Sequence, residues 1–139
     1  MKTGIRGTIL SPNAVFTVGC WNVRSLYNPG AVKLLVQELE HFKWDVIGIA
    51  ETYQTGVDDI REGECRIISS GGEGLHRAGV ALVIGKTAAD ALVSFKPVND
   101  RIISARFKTT TPHVTIVQIY APTLAAHRRI LRPAPGGVK

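Results

Sequence analysis

Two short apolar segments of strand type enclose one amphipathic segment in the first fifty residues. Ala14 to Trp21 is apolar and β-prone, which predicts a buried strand, and Val46 to Ala50 is a second continuous apolar run. The interval begins with Asn28-Pro29, which is typical of a helix start, and its apolar stripe predicts a helix to about Lys43. The stripe comprises Val32, Leu35, Val36, Leu39 and Phe42. A strand, a helix and a strand so connected predict two parallel strands with a right-handed crossover.

A polar residue closes each of these strands. Asn22 follows the first apolar segment and Glu51 follows the second. Because the carboxyl ends of neighbouring parallel strands meet at one edge, where open α/β sheets bind their ligands, we expect the two side chains to lie together at a site.

The second half of the chain predicts further strands. Four segments have strand character: Gly79 to Ile84, Ala91 to Val98, Ile102 to Lys108 and Val114 to Tyr120. The turn-forming pairs Gly85-Lys86 and Asn99-Asp100 separate the first three of these segments, which predicts that those three form an antiparallel meander. Residues 56–79 are rich in Gly, Ser and charge, with one apolar stretch from Cys65 to Ile68.

The composition is that of a soluble globular protein with a single domain. The chain has 139 residues, 45% of them hydrophobic and 20% charged. We divide it into a flexible leader (1–13), a domain (14–123) and a disordered basic tail (124–139). No apolar run is long enough to cross a membrane, and no signal-peptide pattern is present, so an intracellular location, nuclear or cytoplasmic, is expected. Cys20 and Cys65 are expected to be small core hydrophobes rather than a disulfide.

The net charge of +6 lies mostly in the tail. Residues 124–139 contain Arg128, Arg129, Arg132 and Lys139 and no acid, which leaves 13 basic and 11 acidic residues elsewhere. A body so nearly balanced is weak evidence for a nucleic-acid surface. The tail arginines could contact nucleic acid, although a solvated, disordered tail is the commoner explanation of such a pattern.

Four motifs in order resemble one known family. GCWNVRSL, DVIGIAET, AGVALVIG and VQIYAPT follow the first half of the endonuclease/exonuclease/phosphatase superfamily. The resemblance spans about Thr17 to Thr123 and is strongest to the endonuclease domains of RTE-type non-LTR retrotransposons and to the craniofacial development protein 2 family. Arg24, two residues after Asn22, also suits the retrotransposon branch better than the DNA-repair branch, where an acid often stands.

The resemblance implies a fold, an activity and three site residues. The fold would be the first half of a four-layered α/β sandwich of the DNase I type, and the activity would be cleavage of DNA phosphodiesters assisted by Mg²⁺ or Mn²⁺. Asn22 and Glu51 would hold the metal, and Tyr120 would contact the phosphate. Independently, Mg²⁺ prefers oxygen ligands and few carboxylates, which suits an amide and an acid at one strand edge.

Each residue also has an ordinary structural explanation. Asn22 could bond its own turn, Glu51 could be a surface acid, and Tyr120 could be an aromatic residue at the edge of the core. His76 lies in a Gly-rich hairpin and is expected to be a solvated loop residue. His41, at the predicted helix end, suits the helix dipole.

Two motifs of the family are missing from this sequence. It contains neither the Gly-Asp-x-Asn segment nor the Ser-Asp-His segment that supply the general base and the remaining phosphate contacts in the family. We therefore expect a truncated, catalytically inactive domain with weak or absent metal binding and an uncovered apolar face prone to self-association. Two alternatives are a binding module that uses the basic tail and an endonuclease completed by a partner chain.

Overall fold

The chain forms strands for most of its described length, with two helices. The computed structural model describes residues 16–23, 26, 28–74, 78–108 and 113–121. Within these ranges the elements in chain order are β1 (Val18–Asn22), α1 (Ala31–Leu39), β2 (Val46–Ala50), β3 (Val57–Glu62), β4 (Cys65–Ser70), β5 (Val80–Ile84), α2 (Lys86–Asp90), β6 (Leu92–Asn99), β7 (Ile102–Phe107) and β8 (Val114–Ile119).

The strands form two sheets. The larger sheet has the order β1-β2-β5-β4-β3, and the smaller has the order β6-β7-β8. Strand β1 pairs with β2 in parallel, with Asn22 opposite Ala50, and the other pairings are antiparallel. The predicted parallel pair around a connecting helix is therefore confirmed.

Successive side chains of the central strand β5 point to opposite faces of the larger sheet, which explains why the elements form three layers. Every residue of β5 is buried, because one face of the strand packs against helix α1 and the other against the smaller sheet. Val80, Leu82 and Ile84 belong to the core between the two sheets, with Ile103 and Phe107 from β7 opposite them. The arrangement is thus a mixed α/β fold in which a helix, a five-stranded sheet and a three-stranded sheet lie in succession.

Helix α1 is shorter than its apolar stripe predicts. Its N-cap is Gly30 in the left-handed conformation rather than Asn28, and the helix ends at Leu39. The indole Nε1 of Trp44 donates a hydrogen bond to the Leu39 carbonyl at 2.9 Å, which satisfies one of the free carbonyls of the last turn. Phe42 lies beyond this end, is 62% exposed and does not extend the buried stripe.

Strand β1 is an edge strand, and the prediction that it is buried on both faces is wrong. Val18 is 48% exposed and Cys20 is exposed, so Cys20 is not a core residue. The smaller sheet ends at β8, whose Gln118 lies over Gly48 of β2 and accepts a hydrogen bond from the Cys20 thiol of β1 at 3.9 Å. Both cysteines are free, and Cys65 is half-buried.

The predicted meander of three strands is correct only for β6 and β7, because β5 lies in the larger sheet and β8 is the third strand of the smaller one. Gly85-Lys86 is not a hairpin turn: it begins helix α2, which carries the chain from one sheet to the other. The charged interval before β5 forms an unpredicted hairpin of β3 and β4. Hydrogen bonds from Arg66, at 2.7 and 2.9 Å, hold the pKa of Asp59 on this hairpin below its ordinary value.

The core between the sheets should dominate stability. Phe107 is fully buried there, so Phe107→Ala is expected to lower the free energy of unfolding by about 3–5 kcal/mol. The matched control is Phe42→Ala, which removes an exposed ring in edge contact with Trp21 and should cost about 1 kcal/mol or less. Urea denaturation followed by circular dichroism measures both, and equal losses would contradict this packing.

Candidate functional site at the ends of β1 and β2

The parallel pairing brings the two predicted metal-site residues into contact. Asn22 ends β1 opposite Ala50, the last residue of β2, so Glu51 follows directly beside it. The amide Nδ2 of Asn22 donates a hydrogen bond to Oε2 of Glu51 at 3.3 Å. Asn22 is exposed and Glu51 is half-buried, so a solute can reach both side chains.

A tyrosine that the sequence analysis missed contacts the other oxygen of the same carboxylate. The phenol of Tyr53 donates a hydrogen bond to Oε1 of Glu51 at 3.4 Å. The two residues are close in the chain, but the alternation of side chains along an extended strand does not explain their contact, because both have left-handed φ angles. The backbone conformation that brings them together could not be read from the sequence.

The backbone around Glu51 is held in an unusual conformation. Glu51, Tyr53 and Ala78 have φ angles of 61°, 58° and 52°, in the left-handed region that non-glycine residues rarely occupy. Such conformations cost roughly 1–3 kcal/mol each, persist only where the surroundings enforce them, and cluster at functional sites.

Backbone hydrogen bonds enforce this conformation. The Thr52 and Tyr53 amides donate to the carbonyls of Gly79 and Ala78 at 3.2 and 2.8 Å. The amide of Leu26 donates to the Thr52 carbonyl at 2.7 Å, and Thr52 itself is fully buried. Main-chain hydrogen bonds to two separate parts of the chain, residues 78–79 and Leu26, therefore fix the segment that carries Glu51.

Further hydrogen bonds connect this segment to the third predicted residue, Tyr120. The Gly79 amide donates to the Asp100 carbonyl in the turn between β6 and β7 at 2.8 Å. The Tyr120 amide, just after β8, donates to the carbonyl of the adjacent Arg101 at 2.9 Å. Tyr120 therefore lies at the same end of the molecule as Asn22 and Glu51.

Arg101 is a second residue that the sequence analysis missed. Its guanidinium carbon lies 5.5 Å from the centre of the Tyr120 ring, a cation–π contact. Its Nη1 is buried and makes no hydrogen bond to any residue that the structure describes. The nearest carboxylate is that of Asp100, 3.9 Å from Nε, which is a weak ion pair. The signal in the sequence was the position of Arg101 directly after the predicted Asn99-Asp100 turn.

The donor atoms suit a hard cation that shares its ligands with solvent and phosphate. Among the described residues no group of three or more His, Cys, Asp or Glu side chains converges. Mg²⁺ is commonly bound by one or two carboxylates, with water and substrate phosphate as its other ligands. Glu51 provides the carboxylate, and Asn22, whose Nδ2 is directed at Glu51, retains its Oδ1 as a neutral oxygen ligand.

Several other predicted residues lie outside the described ranges or away from this site. The structure does not describe Arg24, His76 or the tail residues Arg128, Arg129 and Arg132. His41 follows the end of α1, where its amide donates to the Glu38 carbonyl at 3.2 Å, and is exposed.

Curated relatives match most of the chain. It is similar to craniofacial development protein 2 from Bos taurus, with 38% identity over 108 residues, which is 78% of this chain and 18% of that protein. It is also similar to craniofacial development protein 2 from Tragulus javanicus, with 36% identity over 108 residues, covering 78% of this chain and 19% of that protein. The chain thus spans about a fifth of the length of the curated relatives it matches.

No family model matches the chain. The similarity to craniofacial development protein 2 agrees with that part of the resemblance inferred from the four sequence motifs.

None of the helices in the described ranges has the length and apolar character needed to span a membrane.

The glycine behind the Glu51 segment can be tested directly. A Cβ at Gly79 would lie 2.3 Å from Oγ1 of Thr52, and Gly79 has a φ of 92°. Gly79→Ala should therefore incur conformational strain and a clash. Gly74→Ala is the matched control, because Gly74 has a φ of 73° but nothing within 4 Å of the added methyl. We expect Gly79→Ala to lower the free energy of unfolding by about 1–3 kcal/mol more than the control in urea denaturation. Equal losses would show that Thr52 is not held against Gly79.

Proposed function

We propose that this chain carries the part of an endonuclease-type phosphodiesterase that binds a divalent metal ion and a DNA phosphate. The observation that carries the proposal is the 3.3 Å contact between Asn22 and Glu51 at the ends of two parallel strands. It is supported by the four ordered motifs that resemble the endonuclease/exonuclease/phosphatase superfamily, RTE-type domains in particular. On this proposal the two packed sheets are half of a four-layered sandwich of the DNase I type.

Each residue at this end has a role in the proposal. Glu51 and the Oδ1 of Asn22 bind Mg²⁺ or Mn²⁺, and Tyr120 contacts the phosphate. Arg101, whose side chain is partly exposed and whose guanidinium carbon lies 5.5 Å from the centre of the Tyr120 ring, donates to the same anion. When bound, the ion polarises the phosphoryl oxygen and helps to neutralise charge that develops during cleavage. The described residues themselves bind and orient the phosphate.

Binding without cleavage is the activity we propose for this chain alone. The sequence contains neither the Gly-Asp-x-Asn nor the Ser-Asp-His motif, so the general base and the remaining phosphate contacts of the family are not in it. Loss of a general base typically slows a reaction about 10²- to 10⁴-fold, and loss of one preorganised donor slows it roughly another 10²- to 10³-fold. The two losses together leave negligible hydrolysis.

The alternatives stated above stay predictions. Binding of nucleic acid through Arg128, Arg129 and Arg132 depends on residues outside the described ranges.

Completion by a partner chain has one supporting feature, which is that β1 is the edge strand of the larger sheet. One face of β1 exposes Val18, and the other borders an apolar cavity of about 340 Å³ lined in part by Trp21 and Phe42. A chain that paired with β1 would cover these groups.

We expect this protein to bind the metal ion without cleaving DNA. We expect weak but saturable binding of Mn²⁺, followed by electron paramagnetic resonance of the free ion, and a lower, still measurable affinity in Glu51→Gln, which keeps the shape but removes the charge. Supercoiled plasmid with Mg²⁺ should remain intact. Nicking by the wild-type chain that disappears in Glu51→Ala would contradict the proposed lack of cleavage, whereas equal Mn²⁺ affinity in Glu51→Gln would contradict the site.

The phosphate contact can be tested through Arg101. A hydrogen bond to a charged partner is worth about 1.5–3 kcal/mol, so Arg101→Ala should weaken binding of a short duplex oligonucleotide about 10- to 100-fold. It should also reduce the slope of log affinity against log salt by about 0.9. Arg106→Ala is the matched control, because Arg106 is an exposed residue on β7, away from Tyr120. Equal affinities of the two variants in fluorescence anisotropy would rule out this role.

A further inference from the structure

We propose that Tyr53 is a positioning residue that orients the Glu51 carboxylate for the cation. This inference rests on the proposed function, because it concerns the residue that we expect to bind the metal. Neither the sequence motifs nor the predicted site residues included Tyr53.

The two oxygens of the carboxylate have separate donors. Nδ2 of Asn22 approaches Oε2 at 3.3 Å from β1, and the phenol of Tyr53 approaches Oε1 at 3.4 Å from two residues along the chain. Both contacts are longer than the roughly 2.7–2.9 Å of strong charge-assisted hydrogen bonds. Each donor therefore limits the rotation of the carboxylate without saturating it. A carboxylate oxygen has two lone pairs, so an oxygen that accepts from Tyr53 can still bind a cation.

The local backbone is arranged to produce this contact. Glu51 and Tyr53 both have left-handed φ angles, and Thr52 between them is fully buried. The flanking side chains are consequently brought together on the outer side of the segment. The Tyr53 amide is fixed to the Ala78 carbonyl at 2.8 Å, and the hydroxyl of Thr52 accepts a hydrogen bond from the Gln54 amide at 3.3 Å. Three left-handed non-glycine residues around one carboxylate indicate that the surrounding structure enforces this geometry.

Orientation of the carboxylate matters because the site supplies few ligands. With one carboxylate and one amide oxygen, the affinity for the cation depends on how well these two atoms are already placed. A flexible glutamate loses side-chain freedom when it binds, and the two donors reduce that loss beforehand. Hydrogen-bond partners of metal ligands commonly change metal affinity by about 10- to 100-fold when they are removed. We expect the lower end for Tyr53, because its contact with Glu51 is long.

The experiment is a double-mutant cycle read out as Mn²⁺ affinity rather than as activity. The full chain is titrated with Mn²⁺ while the free ion is followed by electron paramagnetic resonance. The proteins are the wild type, Tyr53→Phe, Glu51→Gln and the double variant. Tyr53→Phe keeps the ring and removes only the hydroxyl. It should weaken Mn²⁺ binding about 10-fold, with an unchanged melting temperature in the absence of metal. In the Glu51→Gln background the same change should have less than about a twofold effect.

A second variant separates positioning from a general structural role. Ser70→Ala removes a buried hydroxyl that donates to the Asn99 carbonyl at 2.6 Å, near the same end of the molecule. It should lower the melting temperature and leave Mn²⁺ affinity within about twofold of the wild type. A matching loss of affinity in Ser70→Ala would show that destabilisation alone weakens the site, and it would overturn the role assigned to Tyr53.

The remaining outcomes distinguish the inference from the function on which it rests. Wild-type affinity in Tyr53→Phe, together with weakened binding in Glu51→Gln, would overturn the positioning role and leave the metal site intact. An equal effect of Tyr53→Phe with and without Glu51 would also overturn it, because the phenol would then act elsewhere. If the wild type shows no saturable Mn²⁺ binding, the proposed metal site and the positioning role both fail.

Discussion

The candidate site depends on the in-register parallel pairing of β1 with β2. This register sets Asn22 opposite Ala50 and therefore places Glu51 next to the amide of Asn22. A shift by one residue would turn Asn22 to the other face of the sheet, because side chains alternate along a strand. The register is fixed by packing: Ile47 and Ile49 face helix α1, and Val46 faces the smaller sheet. The geometry of the polar site thus follows from the burial of apolar residues two to five positions before Glu51.

A second constraint acts through the loops at this end of the molecule. Backbone hydrogen bonds connect the Glu51 segment to the start of β5, then to the turn between β6 and β7, and finally to Tyr120. Four segments that are distant in the chain are held in one arrangement by main-chain groups, which do not depend on side-chain identity. The side chains at this end are therefore not needed for the framework and are available for a chemical role. They are those of Asn22, Glu51, Tyr53, Arg101 and Tyr120. This separation of scaffold and site is common where binding residues lie on loops of a rigid framework.

Strand β1, at the edge of the larger sheet, is more exposed to solvent than the strands at the centre of that sheet. Strands β2, β4 and β5 have covered faces, whereas β1 has exposed apolar residues although it carries one of the two proposed metal ligands. Relatives that match this chain over 78% of its length are about four times as long as the chain. On our proposal the site would be one half of a reaction centre: it would bind a cation and a phosphate without the family motifs that activate water.

The sequence by itself determined the elements whose signals are local. The apolar run Val46–Ala50, the three- and four-residue spacing of helix α1 and the turn at Asn99-Asp100 predicted their elements, and the order strand, helix, strand predicted the parallel pair. From that pair followed the adjacency of Asn22 and Glu51. Tertiary structure decided what depends on distant neighbours: the exposure of β1, the end of α1 at the Trp44 cap, and the passage of the chain through α2 into a second sheet. It also decided the contacts of Tyr53 and Arg101. A left-handed backbone at a non-glycine residue and a cation stacked on an aromatic ring arise from contacts between separate segments, and no local pattern of residues encodes them.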